Sequence, residues 1–155
     1  KGVIPRNLRP LVGDWVFGCD ICQDVCPVNI KVLESQEKCF DKRHDFDALE
    51  LLPLLFLSEE EFSVKFKNSP IKRTKLEGLK RNVCVALGNL KDKRAIIPLL
   101  ETISDKSFVV RVHAVWALGN IGIDHFTRMQ LNAALDSEEN PEVINELKNV
   151  LNKSS

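Results

Sequence analysis

The 155-residue sequence has no long apolar run. Its longest, Leu49 to Leu57, is already interrupted by Glu50 and Pro53, well short of the about 20 apolar residues that a bilayer-spanning helix needs. Net charge is also missing: 22 Lys and Arg stand against 22 Asp and Glu. That balance excludes a uniformly basic nucleic-acid binder, though only as a global average. The opening Lys1-Gly-Val-Ile-Pro5 has no signal-peptide core, and no Met precedes Met129. The sequence is therefore expected to be part of a longer protein. An even cysteine count is absent too, because five cysteines cannot all pair in a disulfide framework. Three of them, Cys19, Cys22 and Cys26, fall within eight residues. Such clustering beside a helical pattern points to metal ligation in a reducing, cytoplasmic setting rather than to a secreted scaffold. What remains, 44% hydrophobic and 28% charged residues, is ordinary for a folded globular chain and argues against disorder.

Charge is unevenly spread. Residues 34–61 are strongly acidic, whereas residues 62–82 hold Lys65, Lys67, Lys72, Arg73, Lys75, Lys80 and Arg81 against the single acid Glu77. A neutral protein thus carries a basic block at its middle.

Pro5, Pro10, Gly13, Gly18 and Pro27 break up the first 30 residues, which read as loop-rich. From about residue 45 the pattern is helical. Ser58-Glu-Glu-Glu61 is a capping-box signature and should open a short helix with Phe62 and Phe66 on one face, Phe66 fitting the core. Residues 68–73 read as a loop. Thr74 can then cap a helix whose Leu76, Leu79, Val83, Ala86 and Leu87 form one apolar stripe.

An internal repeat follows. Ala86-Leu-Gly-Asn-Leu90 recurs 31 residues on as Ala117-Leu-Gly-Asn-Ile121, with Lys80 aligned to Arg111 and Val83 to Ala114. A weaker third copy begins at Pro141, and helices are expected between copies over 95–103 and 126–135. One such helix pair cannot bury its apolar face alone and must stack on its neighbours. Spacing and core resemble short HEAT-type repeats. Gly88 and Gly119 read as helix C-caps, where a left-handed backbone favours glycine. The fold class expected is mainly α: a loop-rich, ferredoxin-like iron–sulfur segment and linker over 1–44, then a HEAT-like helical repeat domain over 45–155.

Cys19-x2-Cys22-x3-Cys26-Pro27 matches the last three cysteines of the bacterial ferredoxin run, with Val16 where the first would stand. The x2 spacing lets two thiolates reach two irons of one cubane from a single loop. In two-cluster ferredoxins the last cysteine serves the other cluster, so Cys19 and Cys22 are assigned to one 4Fe–4S cluster and Cys26 to a second. Structural zinc on Cys19, Cys22, Cys39 and His44 has acceptable spacing but leaves Cys26-Pro27 unexplained. Thioredoxin-like redox chemistry lacks its βαβ surroundings. Cys84 falls on an apolar helical face and reads as core, Cys39 as an unliganded thiol. His44, His113 and His125 read as loop, surface or groove histidines. These thiols cannot complete two clusters, so further ligands are expected upstream of Lys1.

Several strings together resemble epoxyqueuosine reductase: Gly2-Val-Ile-Pro5, Leu8-Arg-Pro-Leu-Val-Gly13, Phe17-Gly-Cys-Asp-Ile-Cys-Gln-Asp-Val-Cys-Pro27 with Asn29, Phe66-x2-Ser-Pro70-x2-Arg73, and Gly78-Leu-Lys-Arg-Asn82 with Ala86-Leu-Gly-Asn89. The resemblance covers essentially all 155 residues, as the C-terminal part of a longer member. Val28 departs from it, an aromatic being usual there. The resemblance implies a cobalamin-dependent oxidoreductase with two 4Fe–4S clusters that reduces epoxyqueuosine to queuosine in the tRNA anticodon loop. It further implies that Cys19 and Cys22 join two upstream cysteines, that Cys26 completes the other cluster, and that the backbone at Cys19-Asp20 contacts the cobalamin. The proton donor would lie in the N-terminal half, so no catalytic residue is assigned in this stretch. An external electron donor and a monomeric state are implied as well.

In that setting the basic block acquires a role. A tRNA anticodon stem-loop is a dense polyanion bound largely through its phosphates, and Lys65, Lys67, Lys72, Arg73, Lys80 and Arg81 are the expected contacts. The competing readings are a non-enzymatic HEAT-type interaction module with a zinc or iron–sulfur knob, and the electron-transfer part of another cobalamin and iron–sulfur reductase.

Overall fold

The computed structural model describes residues 2–29 and 50–153. The chain divides into two compact units, residues 1–17 with 51–155, and residues 18–50. No strand occurs among the described residues. In the larger unit the helices are α2 (Leu51–Leu54), α3 (Glu59–Lys65), α4 (Lys75–Leu90), α5 (Ile96–Thr102), α6 (Phe108–Ile121), α7 (His125–Ser137) and α8 (Pro141–Lys153). The smaller unit contains α1 (Ile21–Asp24).

Local chemistry sets several boundaries as the sequence indicates. Ser58 Oγ accepts from the Glu61 amide at 3.1 Å while the Glu61 carboxylate accepts from the Ser58 amide at 2.8 Å, so the capping box starts α3. Phe62 and Phe66 are buried, with ring centroids 5.2 Å apart. Asp124 accepts from the Thr127 amide at 2.7 Å to open α7, and Asn140, ahead of Pro141, accepts from the Glu142 amide to open α8.

The stripe Leu76, Leu79, Val83, Ala86 and Leu87 of α4 is buried as expected, and Cys84 with it. Burial pushes the Cys84 thiol above its ordinary range, as befits an inert core residue. Helix α6 is apolar almost all round, from Val109 to Leu118, and therefore lies at the centre. It packs on α4, α5 and α8. From the third copy, Val143 and Leu151 are buried.

Three local expectations are corrected. Gly88 and Gly119 are not C-caps: they lie inside α4 and α6. A Cβ on Gly88 would come within 2.7 Å of the Trp116 ring and 2.9 Å of the Ala117 backbone, and one on Gly119 within 2.7 Å of Val150. Both glycines permit close helix crossing, while the positive φ at helix ends falls on Lys91 and Gly122. Thr74 makes no side-chain cap; its hydroxyl donates to the Ile71 carbonyl at 2.7 Å, inside a 3-10 turn over Pro70–Thr74 where a plain loop was expected. His113 is no surface or groove histidine but fully buried. Residues 2–17 belong with the repeat stack in the larger unit; the boundary expected at 44/45 lies outside the described residues.

The placement of residues 2–17 has a clear physical cause. Residues 2–17 form a strap, and helix side chains satisfy its backbone. Asn89 donates to the carbonyls of Arg9 at 2.9 Å and Gly13 at 2.7 Å, and Asn82 donates to Val16 at 2.7 Å. Arg81 donates to the Gly2 carbonyl at 2.8 Å, while His113 Nε2 accepts from the Ile4 amide at 3.1 Å. Arg9 is buried, donates to Glu146 at 3.1 Å and lies over the Trp116 ring at 5.6 Å. A segment of turns around the 3-10 helix Arg9–Val12 is held because its polar backbone groups find side-chain partners on the helices.

Candidate functional site

The thiol segment is described from Gly18 to Asn29. Cys19 precedes α1, Cys22 lies in it and Cys26 follows it, all three free of disulfides and the first two exposed. The turn is closed by Asp20, whose carbonyl accepts from the Gln23 and Asp24 amides at 2.7 and 2.9 Å. Gln23 in turn accepts from the Cys26 amide through its carbonyl and from Asn29 Nδ2, at 2.7 Å, through its side chain. Backbone bonding thus spaces the three thiols along one short turn. No group of three metal-ligating side chains converges among the described residues. The donor set is chemically suited to iron or zinc but supplies only part of a ligand shell. Cys39 and His44, the other half of the zinc alternative, lie outside the described residues. Gly18 takes φ of 66° with open space around its Cα, and Cys19 and Asp20 are exposed, so the backbone there is accessible to a large ligand. Val28 is exposed.

The basic block separates into two sets. Lys65, Lys67, Lys72 and Arg73 are exposed, at the end of α3 and in the turn before α4. Lys80 and Arg81 are not free. Lys80 donates to Asp105 at 3.1 Å, both side chains only 13% exposed. Arg81 is half-buried, and burial lowers its pKa against the opposing pull of Glu77; its donors go to the Gly2 carbonyl and to Asn82. Both cations are thus engaged within the fold, and leaving their partners would forfeit those hydrogen bonds. The repeat held the clue. Arg111, the counterpart of Lys80, makes the equivalent reach, donating to Glu138 through two bonds of 2.8 Å, so this register position ties one repeat to the next.

Sequence reasoning missed Asn82, Asn89, His113 and the Arg9–Glu146 pair. Asn89 left a trace as the last residue of the repeated Ala-Leu-Gly-Asn, and Asn82 as the end of the Gly78-Leu-Lys-Arg-Asn82 string. The partners of the others are distant in sequence, with no local period to mark them. His113 has its Nδ1 2.7 Å from the Val109 carbonyl, so it donates there and accepts at Nε2 from Ile4. Burial holds its pKa down at about 3, and the ring is neutral.

A HEAT-repeat architecture with a thiol-bearing turn on the same chain is the class these features define. The HEAT repeats model matches residues 76–154, and the chain belongs to that family. Among curated proteins it is 43% identical over 126 residues to epoxyqueuosine reductase of Pseudomonas aeruginosa, covering 79% of this chain and 34% of the relative. The Escherichia coli K12 epoxyqueuosine reductase is 36% identical over 118 residues, covering 76% and 31%. A Geobacillus stearothermophilus protein, named only as an uncharacterized protein in the gldA 3' region, is 32% identical over 148 residues, covering 95% and 68%. Among solved structures, an epoxyqueuosine reductase with an epoxyqueuosine-modified tRNA-Tyr stem loop superposes with TM-score 0.91 at 31% identity, covering 99% of this chain and 41% of that one. The Bacillus subtilis enzyme superposes with TM-score 0.90 at 31% identity, covering 98% and 41%. The resemblance to epoxyqueuosine reductase and the mainly α, HEAT-like fold class hold. The chain spans about a third of the length of the curated epoxyqueuosine reductases it matches. No described helix is long and apolar enough to cross a membrane.

Proposed function

We propose that this chain is the C-terminal part of a cobalamin- and 4Fe–4S-dependent epoxyqueuosine reductase, which reduces epoxyqueuosine to queuosine in the tRNA anticodon loop. The reading is carried by one observation: the Gly18-Cys19-Asp20-Ile21-Cys22-x3-Cys26-Pro27 string shares a chain with a HEAT-like stack. Its structural neighbours support it, one of them an epoxyqueuosine reductase with a tRNA stem loop.

Removing an epoxide oxygen as water takes two electrons and two protons. When bound, the clusters and the cobalamin supply the electron transfer and the reducing centre for that chemistry. The chain's own residues have supporting roles in this proposal. Cys19 and Cys22 hold one cluster together with thiolates from outside this stretch, and Cys26 holds the other. The backbone at Cys19 and Asp20 borders the cobalamin. Lys65, Lys67, Lys72 and Arg73 meet the phosphates of the stem-loop. No residue here donates the proton, and the electrons come from an external donor. The enzyme is placed in the cytoplasm as a monomer.

Anaerobic reconstitution of the full-length protein with iron and sulfide tests the metal reading: a brown protein whose iron content and absorbance fall in C19S/C22S is expected. A colourless protein that takes up stoichiometric zinc overturns it. For the RNA reading, K72E/R73E is expected to abolish binding of an anticodon stem-loop. Affinity equal to the parent's throughout a salt titration sinks that assignment.

A further inference from the structure

We propose that Lys75 is a phosphate contact of the RNA-binding face, presented by a strained backbone, so that residues 68–75 act as a preformed clamp on the nucleic-acid backbone. The inference rests on the RNA-binding reading above and names a residue and a mechanism it does not contain.

Lys75 has φ of 60° and ψ of 166°. This region is essentially reserved for glycine, because a Cβ there crowds its own backbone. The other end of the turn, Asn68, also has φ of 60°, but asparagine tolerates positive φ far better than lysine does. Between them the turn is closely determined. Ser69 Oγ accepts from the Ile71 amide at 3.3 Å, the Thr74 hydroxyl donates to the Ile71 carbonyl at 2.7 Å, and the Lys75 amide donates to the Lys72 carbonyl. Pro70 fixes one further φ.

The Lys75 side chain gives nothing back to the fold. It is exposed and has no ion-pair partner among the described residues. Glycine would serve the backbone at this position better. What lysine adds is a cation three residues from Lys72 and two from Arg73, both exposed. Strain kept at an exposed position that packing does not require marks a functional side chain. A rigid turn also incurs its ordering cost during folding rather than on binding, which favours recognition of a repeating polyanion.

The test compares K75A, K75G and K75R with the parent chain, using an anticodon stem-loop RNA, a salt titration and thermal unfolding. K75A is expected to weaken binding about threefold to tenfold and to lower the salt slope by about 1, with Tm unchanged. K75G is expected to lose the same affinity while its Tm rises by about 2–4 °C. K75R is expected to keep both affinity and slope. If K72E/R73E loses the RNA while K75A matches the parent in affinity and slope, Lys75 is not a contact and the proposal falls with the RNA reading intact. If K75G is no more stable than K75A, the strained clamp is overturned. If the parent chain itself binds no stem-loop, the RNA reading fails, and this proposal with it.

Discussion

The two parts of the basic block teach different lessons from the same composition. Lys65, Lys67, Lys72 and Arg73 project from a helix end and a turn into solvent, whereas Lys80 and Arg81, a few residues on, are spent inside the molecule. The distinction is helical geometry. On α4, Lys80 and Arg81 flank the buried positions Leu79 and Val83, so their side chains pass along packed surface and end at a carboxylate and a carbonyl. The turn before α4 offers no such surface. A run of charge is therefore a candidate for binding only where the backbone beneath it turns away from the core.

Three measurements would sharpen or break this contrast between cations the fold uses and cations it leaves exposed. The largest effect is expected at the most deeply engaged cation. Glu146→Ala leaves Arg9 buried without its carboxylate and should cost about 3–5 kcal/mol in denaturant unfolding. A loss below about 1 kcal/mol would make Arg9 as dispensable as a surface lysine.

Next comes acid. His113 is neutral in the fold, with a pKa of about 3, against about 6.5 when unfolded. The unfolded chain therefore takes up the proton first as pH falls. The strap anchor is fully present above pH about 6.5 and is lost progressively toward pH about 3, by up to about 1.4 kcal/mol per pH unit. In H113Q the stability difference between pH 7 and pH 4.5 should shrink, and an identical difference would remove His113 from the account.

The smallest effect belongs to Arg81→Ala, expected at about 1–2 kcal/mol together with faster amide exchange across residues 2–17. Unchanged exchange there would show that Arg81 does not hold the strap and would return it to the pool of available cations.

Much of the fold was legible because its signals are local. The capping box at Ser58 and Glu61, the α4 stripe from Leu76 to Leu87 and the repeated Ala-Leu-Gly-Asn all express a helical period within a few residues. The thiol turn was legible for the same reason, from Cys19-x2-Cys22-x3-Cys26-Pro27. The misreadings share the opposite property. Gly88 looks like a cap until Trp116 is seen against it, and Thr74 looks like a cap until its hydroxyl is found on Ile71. Asn82, Asn89 and His113, which hold the strap, are likewise distant from it in sequence.

The sequence by itself determined that this is a helical repeat protein with a thiol-bearing turn and a basic centre, because periodicity, capping and ligand spacing act over one or two helical turns. Tertiary structure alone decided which glycines permit a helix crossing, which histidine is buried and which cations remain available. Those outcomes depend on partners such as Arg9 and Glu146, 137 residues apart, or Ile4 and His113, 109 apart. No local pattern encodes such pairs. They exist only once the apolar faces of α4, α6 and α8 have closed and buried polar groups such as Arg9 and His113 are left to pair with whatever the packing brings beside them.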